Sequence, residues 1–81
     1  MTKEEALISL QEIFRTVFKN NNLIISYKTS MNDIDDWDSL SHVTLIDSVE
    51  KKFNFKFELR DMLSIETVDD ICNRIAEKSK L

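Results

Sequence analysis

The sequence predicts an all-α domain of three main helices and one short helix, with a long loop between the first and the second. Two observations carry that prediction. None of the 81 residues is glycine or proline. Most β architectures of this size need several tight turns with positive φ, where glycine is the default residue. Turns and caps here fall to Asn, Asp, Ser and Thr instead. The second observation is that apolar residues recur every three or four positions along three segments, as one buried helical face requires.

The first helix is predicted over residues 3–19. Leu7, Leu10, Ile13, Phe14, Val17 and Phe18 share its apolar face, Glu4, Glu5 and Glu12 sit toward its start, and Arg15 and Lys19 toward its end, the order the helix dipole favours. Asn20, Asn21 and Asn22 tolerate left-handed backbone and supply the stop in place of glycine. Residues 20–37 have no sustained period, and Leu23, Ile24, Ile25 and Tyr27 are expected to pin them to the core. So long a connection in a compact domain generally has a functional cause.

The second helix is predicted to begin near Ser39, with Asp38 or Ser39 as its cap. Leu40, Val43, Ile46, Val49 and Phe53 step along it, with Leu45 flanking. Residues 53–57 then alternate Phe with polar residues, the period of a short strand. No second strand of comparable quality exists to pair with it, so an extended linker whose rings plug the core is the favoured reading. Residues 58–63 make one helical turn. Thr67 caps the last helix, with Asp70 in a capping-box-like position. Val68, Ile71, Cys72, Ile75 and Ala76 form its buried face, and Lys78 and Lys80 close it. Residues 1–81 are expected to form one domain.

Eleven Lys and Arg stand against 15 Asp and Glu, a net charge of −4. That balance argues against nucleic-acid binding, which needs a basic surface to displace counterions. No apolar run exceeds three residues, too short for a membrane span or a signal-peptide core. With one Cys and one His, neither an internal disulfide nor a structural zinc site can be built. A reducing compartment, the cytoplasm, is the expected setting. The absence of glycine also removes the phosphate cradles of nucleotide-driven enzymes.

The charge is unevenly spread. Between Lys28 and Lys51 there is no Lys or Arg, and Asp33, Asp35, Asp36, Asp38, Asp47 and Glu50 give that interval −6 against +2 for the remainder. Such a segment steers basic partners toward the loop and the second helix. It does not form a calcium loop: an EF-hand starting at Asp33 would put Trp37 at the fifth position, Asp38 at the sixth and Thr44 at the twelfth.

Ser39 and His42 lie three residues apart, but a hydrolase also needs an orienting acid and an oxyanion hole in a pocket, for which a small bundle has little volume. His42 is expected at the surface facing a partner, and Cys72 in the core. Ser39 opens a helix after an acidic loop, where the dipole tolerates phosphate; an exposed hydroxyl there is well placed to be modified. The competing reading makes Ser39 a cap and the protein a non-covalent acidic module that grips a basic partner.

At Asp38-Ser39-Leu40 the chain resembles the acyl carrier proteins, a phosphopantetheine-attachment family. The likeness covers nearly the whole chain: the N-terminal apolar helix, the long loop, the helix from Leu40 to Phe53, the turn near residues 59–63, and Thr67-Val68 opening the last helix. It implies a four-helix acyl-carrier-like bundle without catalysis of its own. Ser39 would carry phosphopantetheine, donated from coenzyme A by a magnesium-using phosphopantetheinyl transferase, and the arm's thiol would hold acyl groups as thioesters. Asp38 would help position the serine, and Leu40 would seat partners or pack beside the arm. The bundle's apolar interior would shelter part of the cargo. The second helix would dock acyl-loading, acyltransferase or synthase enzymes with basic surfaces, with Asp36, Trp37, His42, Val43, Asp47 and Glu50 as docking residues. A monomer is expected. Acids common two and five residues after the modified serine in fatty-acid carriers are replaced by Ser41 and Thr44, and Glu50 is followed by Lys51 and Lys52. The Trp37-Asp38-Ser39-Leu40 run and His42 are similar to stand-alone carriers of polyketide-like, peptide-like or saccharide-decorating systems.

Overall fold

The computed structural model describes residues 2–78. Four α-helices follow in order: α1 (Lys3–Val17), α2 (Ser39–Phe53), α3 (Leu59–Ser64) and α4 (Val68–Lys78), with a single 3-10 turn (Met31–Asp33) in the loop before α2. Lys80, expected to close α4, lies outside the described residues. No helix among the described residues is long and apolar enough to cross a membrane.

α1 begins on a capping box that its apolar periodicity did not signal. The Thr2 hydroxyl accepts from the Glu5 amide, and a Glu5 carboxylate oxygen accepts from the Thr2 amide, both at 3.1 Å, so two otherwise unpaired donors are satisfied together. The Thr2 amide, then its hydroxyl, holds the Glu5 carboxyl below its ordinary pKa. α1 stops at Val17, earlier than the spacing predicts, and the left-handed residue is Lys19 (φ 53°), not an asparagine.

The loop is ordered because both neighbouring helices need its polar backbone. The Gln11 side-chain amide donates to the Leu23 carbonyl and accepts from the Ile25 amide, while Arg15 Nε also donates to Leu23, at 2.8 Å. Further along, the Tyr27 and Thr29 carbonyls accept from Asp69 and Val68 at 3.0 and 2.9 Å, taking amides that the first turn of α4 leaves free. Ser30 and Thr67 form an isolated antiparallel bridge. Ile25 is buried and Leu23 and Tyr27 are partly so, whereas Ile24 is 78 % exposed and pins nothing.

α1 packs against both α2 and α4. Ala6, Leu10 and Phe14 from α1 meet Leu45, Ile46 and Val49 from α2 and Val68, Ile71, Cys72 and Ile75 from α4 in one core. Burial pushes the Cys72 thiol up to about 11. α2 ends at Asn54 in the left-handed region (φ 58°), with its amide on the Glu50 carbonyl. Residues 55–58 form a linker with no strand partner among the described residues, and Phe53, Phe55 and Phe57 rest against the core. Thr67 and Asp70 cap α4 reciprocally, at 3.1 and 3.3 Å, and Asp61 of α3 pairs with Arg74 of α4 at 3.3 Å.

Candidate functional site at the start of the second helix

Asp38 caps α2. Its Oδ1 accepts from the amides of Leu40 and Ser41, each at 3.0 Å. The Ser41 amide is the chief reason its carboxyl stays below the ordinary pKa. Ser41 completes the box: its hydroxyl accepts from the Asp38 amide at 2.8 Å and donates to the Asp36 carbonyl at 2.6 Å. An acid two residues after Ser39 is thus replaced by a hydroxyl with a structural role of its own.

With the cap supplied by Asp38, Ser39 is left as the first residue of α2, exposed and outside the capping network. The cap also takes the amides of Leu40 and Ser41, so a phosphate at Ser39 would meet the helix dipole but not those two donors. Beside Ser39 a half-open apolar cleft of about 210 Å³ runs between α2 and α3, lined by Met31, His42, Val43, Met62, Leu63 and Ile65. Leu40 is 83 % exposed and Val43 56 %.

Two residues expected to face partners lie inside instead. Trp37 is 3 % exposed and His42 8 %. The indole meets Phe14 edge-on at 5.2 Å and stacks near the imidazole, with centroids 6.1 Å apart. Its Nε1–H donates to His42 Nδ1 at 3.0 Å, and the other ring nitrogen lies 3.0 Å from the Met62 carbonyl. An indole can only donate and a carbonyl can only accept, so His42 is the tautomer with its proton on Nε2. Both ring nitrogens are occupied, and His42 has no lone pair for Ser39: the Ser–His pair has no base. The resemblance placed both residues on a docking surface, in a segment rich in exposed acids. The indole itself, a large apolar group in a polar loop, was the available signal.

The acids differ in what they are free to do. Asp36 and Asp47 are exposed, and Asp47 pairs with Lys51 at 3.0 Å. Glu50 turns back to the linker and accepts from the Phe57 amide at 2.6 Å, so its carboxylate holds the chain end of α2 in place.

The small helical bundle, with an exposed serine opening its second helix next to an apolar cleft, has the layout expected of a carrier-type domain. A family model described as "Phosphopantetheine attachment site" matches residues 9–75, and the chain belongs to that family. It is an acyl carrier protein, a carrier and not an enzyme, with covalent phosphopantetheine as its prosthetic group. Among solved structures, the solution structure of holo acyl carrier protein from Geobacter metallireducens is 40 % identical, with a TM-score of 0.84, covering 90 % of this chain and 84 % of that one. A candidate acyl carrier protein from Mycobacterium tuberculosis is 26 % identical, with a TM-score of 0.72, covering 96 % and 99 %. A comparison with curated proteins gives no match.

Proposed function

We propose that Ser39 is the attachment point of the phosphopantetheine arm and that the chain shuttles acyl groups in the cytoplasm for a specialised acyl-transfer pathway. The observation that carries this reading is the release of Ser39 from capping. Asp38 does the structural work, leaving a primary hydroxyl exposed at a helix start with an apolar cleft alongside. These residues fit the arm: a hydroxyl to form the phosphodiester, and apolar side chains beside it for the pantetheine and its load. When bound, the arm supplies a thiol that holds acyl groups as thioesters.

This chain's own residues do the rest. Asp38 fixes the first turn of α2, so Ser39 is presented in one orientation. Leu40 and Val43 offer apolar contact to a partner, and Asp36 and Asp47 offer charge to a basic rim. Trp37, His42 and Glu50 act from within, by holding the loop, α3 and the linker against α2. Few acids remain on the exposed face of α2, and each exposed pair lost costs a partner about 0.2–1 kcal/mol. That supports a dedicated partner set over the general fatty-acid one. The rival acidic module, which made Ser39 only a cap, loses that role for Ser39 because Asp38 fills it; it predicts instead a salt-sensitive binding that needs no modification.

The test is intact-protein mass after incubation with coenzyme A, magnesium and a broad-specificity phosphopantetheinyl transferase. Wild type gains one phosphopantetheine and Ser39→Ala gains none, while the variant's stability stays within about 0.5 kcal/mol because no cap is lost. An arm on the Ser39→Ala protein overturns the assignment.

A further inference from the structure

We propose that Trp37, locked by His42, sets the cargo this carrier accepts: short acyl groups that lie in the cleft beside Ser39, not long chains threaded into the bundle. The inference rests on Ser39 bearing the arm, and it revises the expectation that the interior shelters the cargo.

The cleft beside Ser39 lies between α2 and α3, so a chain growing inward from Ser39 would enter there. The imidazole of His42, one of the cleft's lining residues, bridges that space, bonded on one side to Trp37 Nε1 and on the other to the Met62 carbonyl. The Trp37 indole stacks beside it, wedged against Phe14 at 5.2 Å and Phe18 at 6.5 Å. Phe14, Leu45, Val49, Val68 and Ile71, which share one core with Trp37, are fully buried. A long chain could pass only by breaking the bridge and stranding a buried indole N–H and a part-buried carbonyl, then displacing side chains from a filled core.

The cleft itself offers an alternative seat. Its volume of about 210 Å³ falls below the roughly 300–1,000 Å³ of pockets that engulf drug-sized ligands. Its wall is apolar, and Met31 and Met62 can reshape around different small groups. Space and lining suit an acyl group of a few carbons.

Trp37 is the chain's single tryptophan, so its fluorescence reports directly on the proposed barrier. The protein is loaded by the transferase from acetyl-, butyryl-, hexanoyl- and dodecanoyl-coenzyme A. Loading is scored by intact mass, and melting temperature and Trp37 emission are then read for each form. The melting temperature is expected to rise from acetyl to hexanoyl, with dodecanoyl within about 1 °C of hexanoyl and the emission maximum constant throughout. Six further methylenes buried in the interior would raise it by many degrees. A dodecanoyl form well above hexanoyl, or a red-shifted emission, overturns the proposal. In Trp37→Leu, checked for helicity, dodecanoyl is expected to become the most stabilising load; if that variant does not fold, the wild-type series decides alone. A protein that takes no arm fails at the mass step, which overturns the Ser39 reading and this inference with it.

Discussion

The Trp37–His42 bridge makes a quantitative prediction about stability. In His42→Leu the side chain keeps its bulk but loses both polar contacts, leaving the Trp37 Nε1–H and the Met62 carbonyl without partners. Those bonds are both 3.0 Å long, between residues 3 % and 8 % exposed on one side and a part-buried carbonyl on the other. Each buried group left unpaired costs about 1–3 kcal/mol. Added apolar burial offsets part of that, so the expected loss is about 2–4 kcal/mol. Trp37→Phe strands His42 Nδ1 and leaves space where the larger ring met Phe14, a similar loss. In the double variant the indole N–H and its acceptor vanish together. The cost of the double variant should therefore fall short of the sum of the two single costs by about 0.5–3 kcal/mol, the range for residues in direct contact. Urea unfolding followed by far-ultraviolet circular dichroism measures all four proteins without relying on the tryptophan. For a domain of this size each kcal/mol also moves the melting temperature by about 4–8 °C. Costs that add to within about 0.5 kcal/mol would refute the reasoning, because they would mean that the bond contributes nothing beyond the two side chains separately.

Other expectations follow from single sites. Cys72 is fully buried with its thiol pushed up to about 11, so iodoacetamide at neutral pH should label it only after unfolding, and rapid labelling of the native protein would contradict its packing. Lys19 and Asn54 hold positive φ; Lys19→Gly should stabilise by up to about 1 kcal/mol, while Asn54→Ala should destabilise by a similar amount, both read from urea midpoints. For Asp70 burial opposes ionisation, but the amides of Glu66 and Thr67 outweigh it and hold the carboxyl below its usual range; Asp38 and Glu5 are lowered as well. Depressed carboxyls contribute stability that is complete above their unfolded values near 4 and lost as pH falls through the folded ones. Acid unfolding should thus steepen below about pH 4, and Asp70→Asn should flatten that limb.

What could be read from the sequence was whatever is encoded locally. α2 was placed at its true first residue because an Asx cap and a three-and-four apolar spacing meet at Asp38-Ser39. The same logic found the Thr67–Asp70 cap and the short turn of α3. Phe53, Phe55 and Phe57 were read as a core-plugging linker because a strand without a partner cannot satisfy its backbone. The missed features join residues that no short-range period connects. Gln11 reaches the loop at Leu23 and Ile25, and nothing in a helical wheel distinguishes such a clip from a solvated glutamine. His42 and Trp37 are five apart across a loop–helix junction, a spacing with no meaning in either regular structure. Their neighbours' charges pointed outward while their rings turned in.

That inward turn changes how the site works. Had Trp37 and His42 faced solvent, the start of α2 would be a flexible acidic loop joined to a helix, and Ser39 would sit at a hinge. Buried and bonded, they tie three pieces together: the indole anchors the loop to α1, the imidazole joins that anchor to α2, and its Nε2–H reaches α3 through Met62. Asp38 and Ser41 then lock the intervening turn from outside. Ser39 is the residue this double fastening leaves free, presented by a rigid support on both sides of the chain. With Ser39 as the proposed attachment point, the carrier must show the same hydroxyl to a modifying enzyme and the same face to later partners. Rigidity in the residues flanking the serine lowers the ordering cost at each encounter. On that reading, Trp37 and His42 serve Ser39 from inside the bundle, where they are 3 % and 8 % exposed.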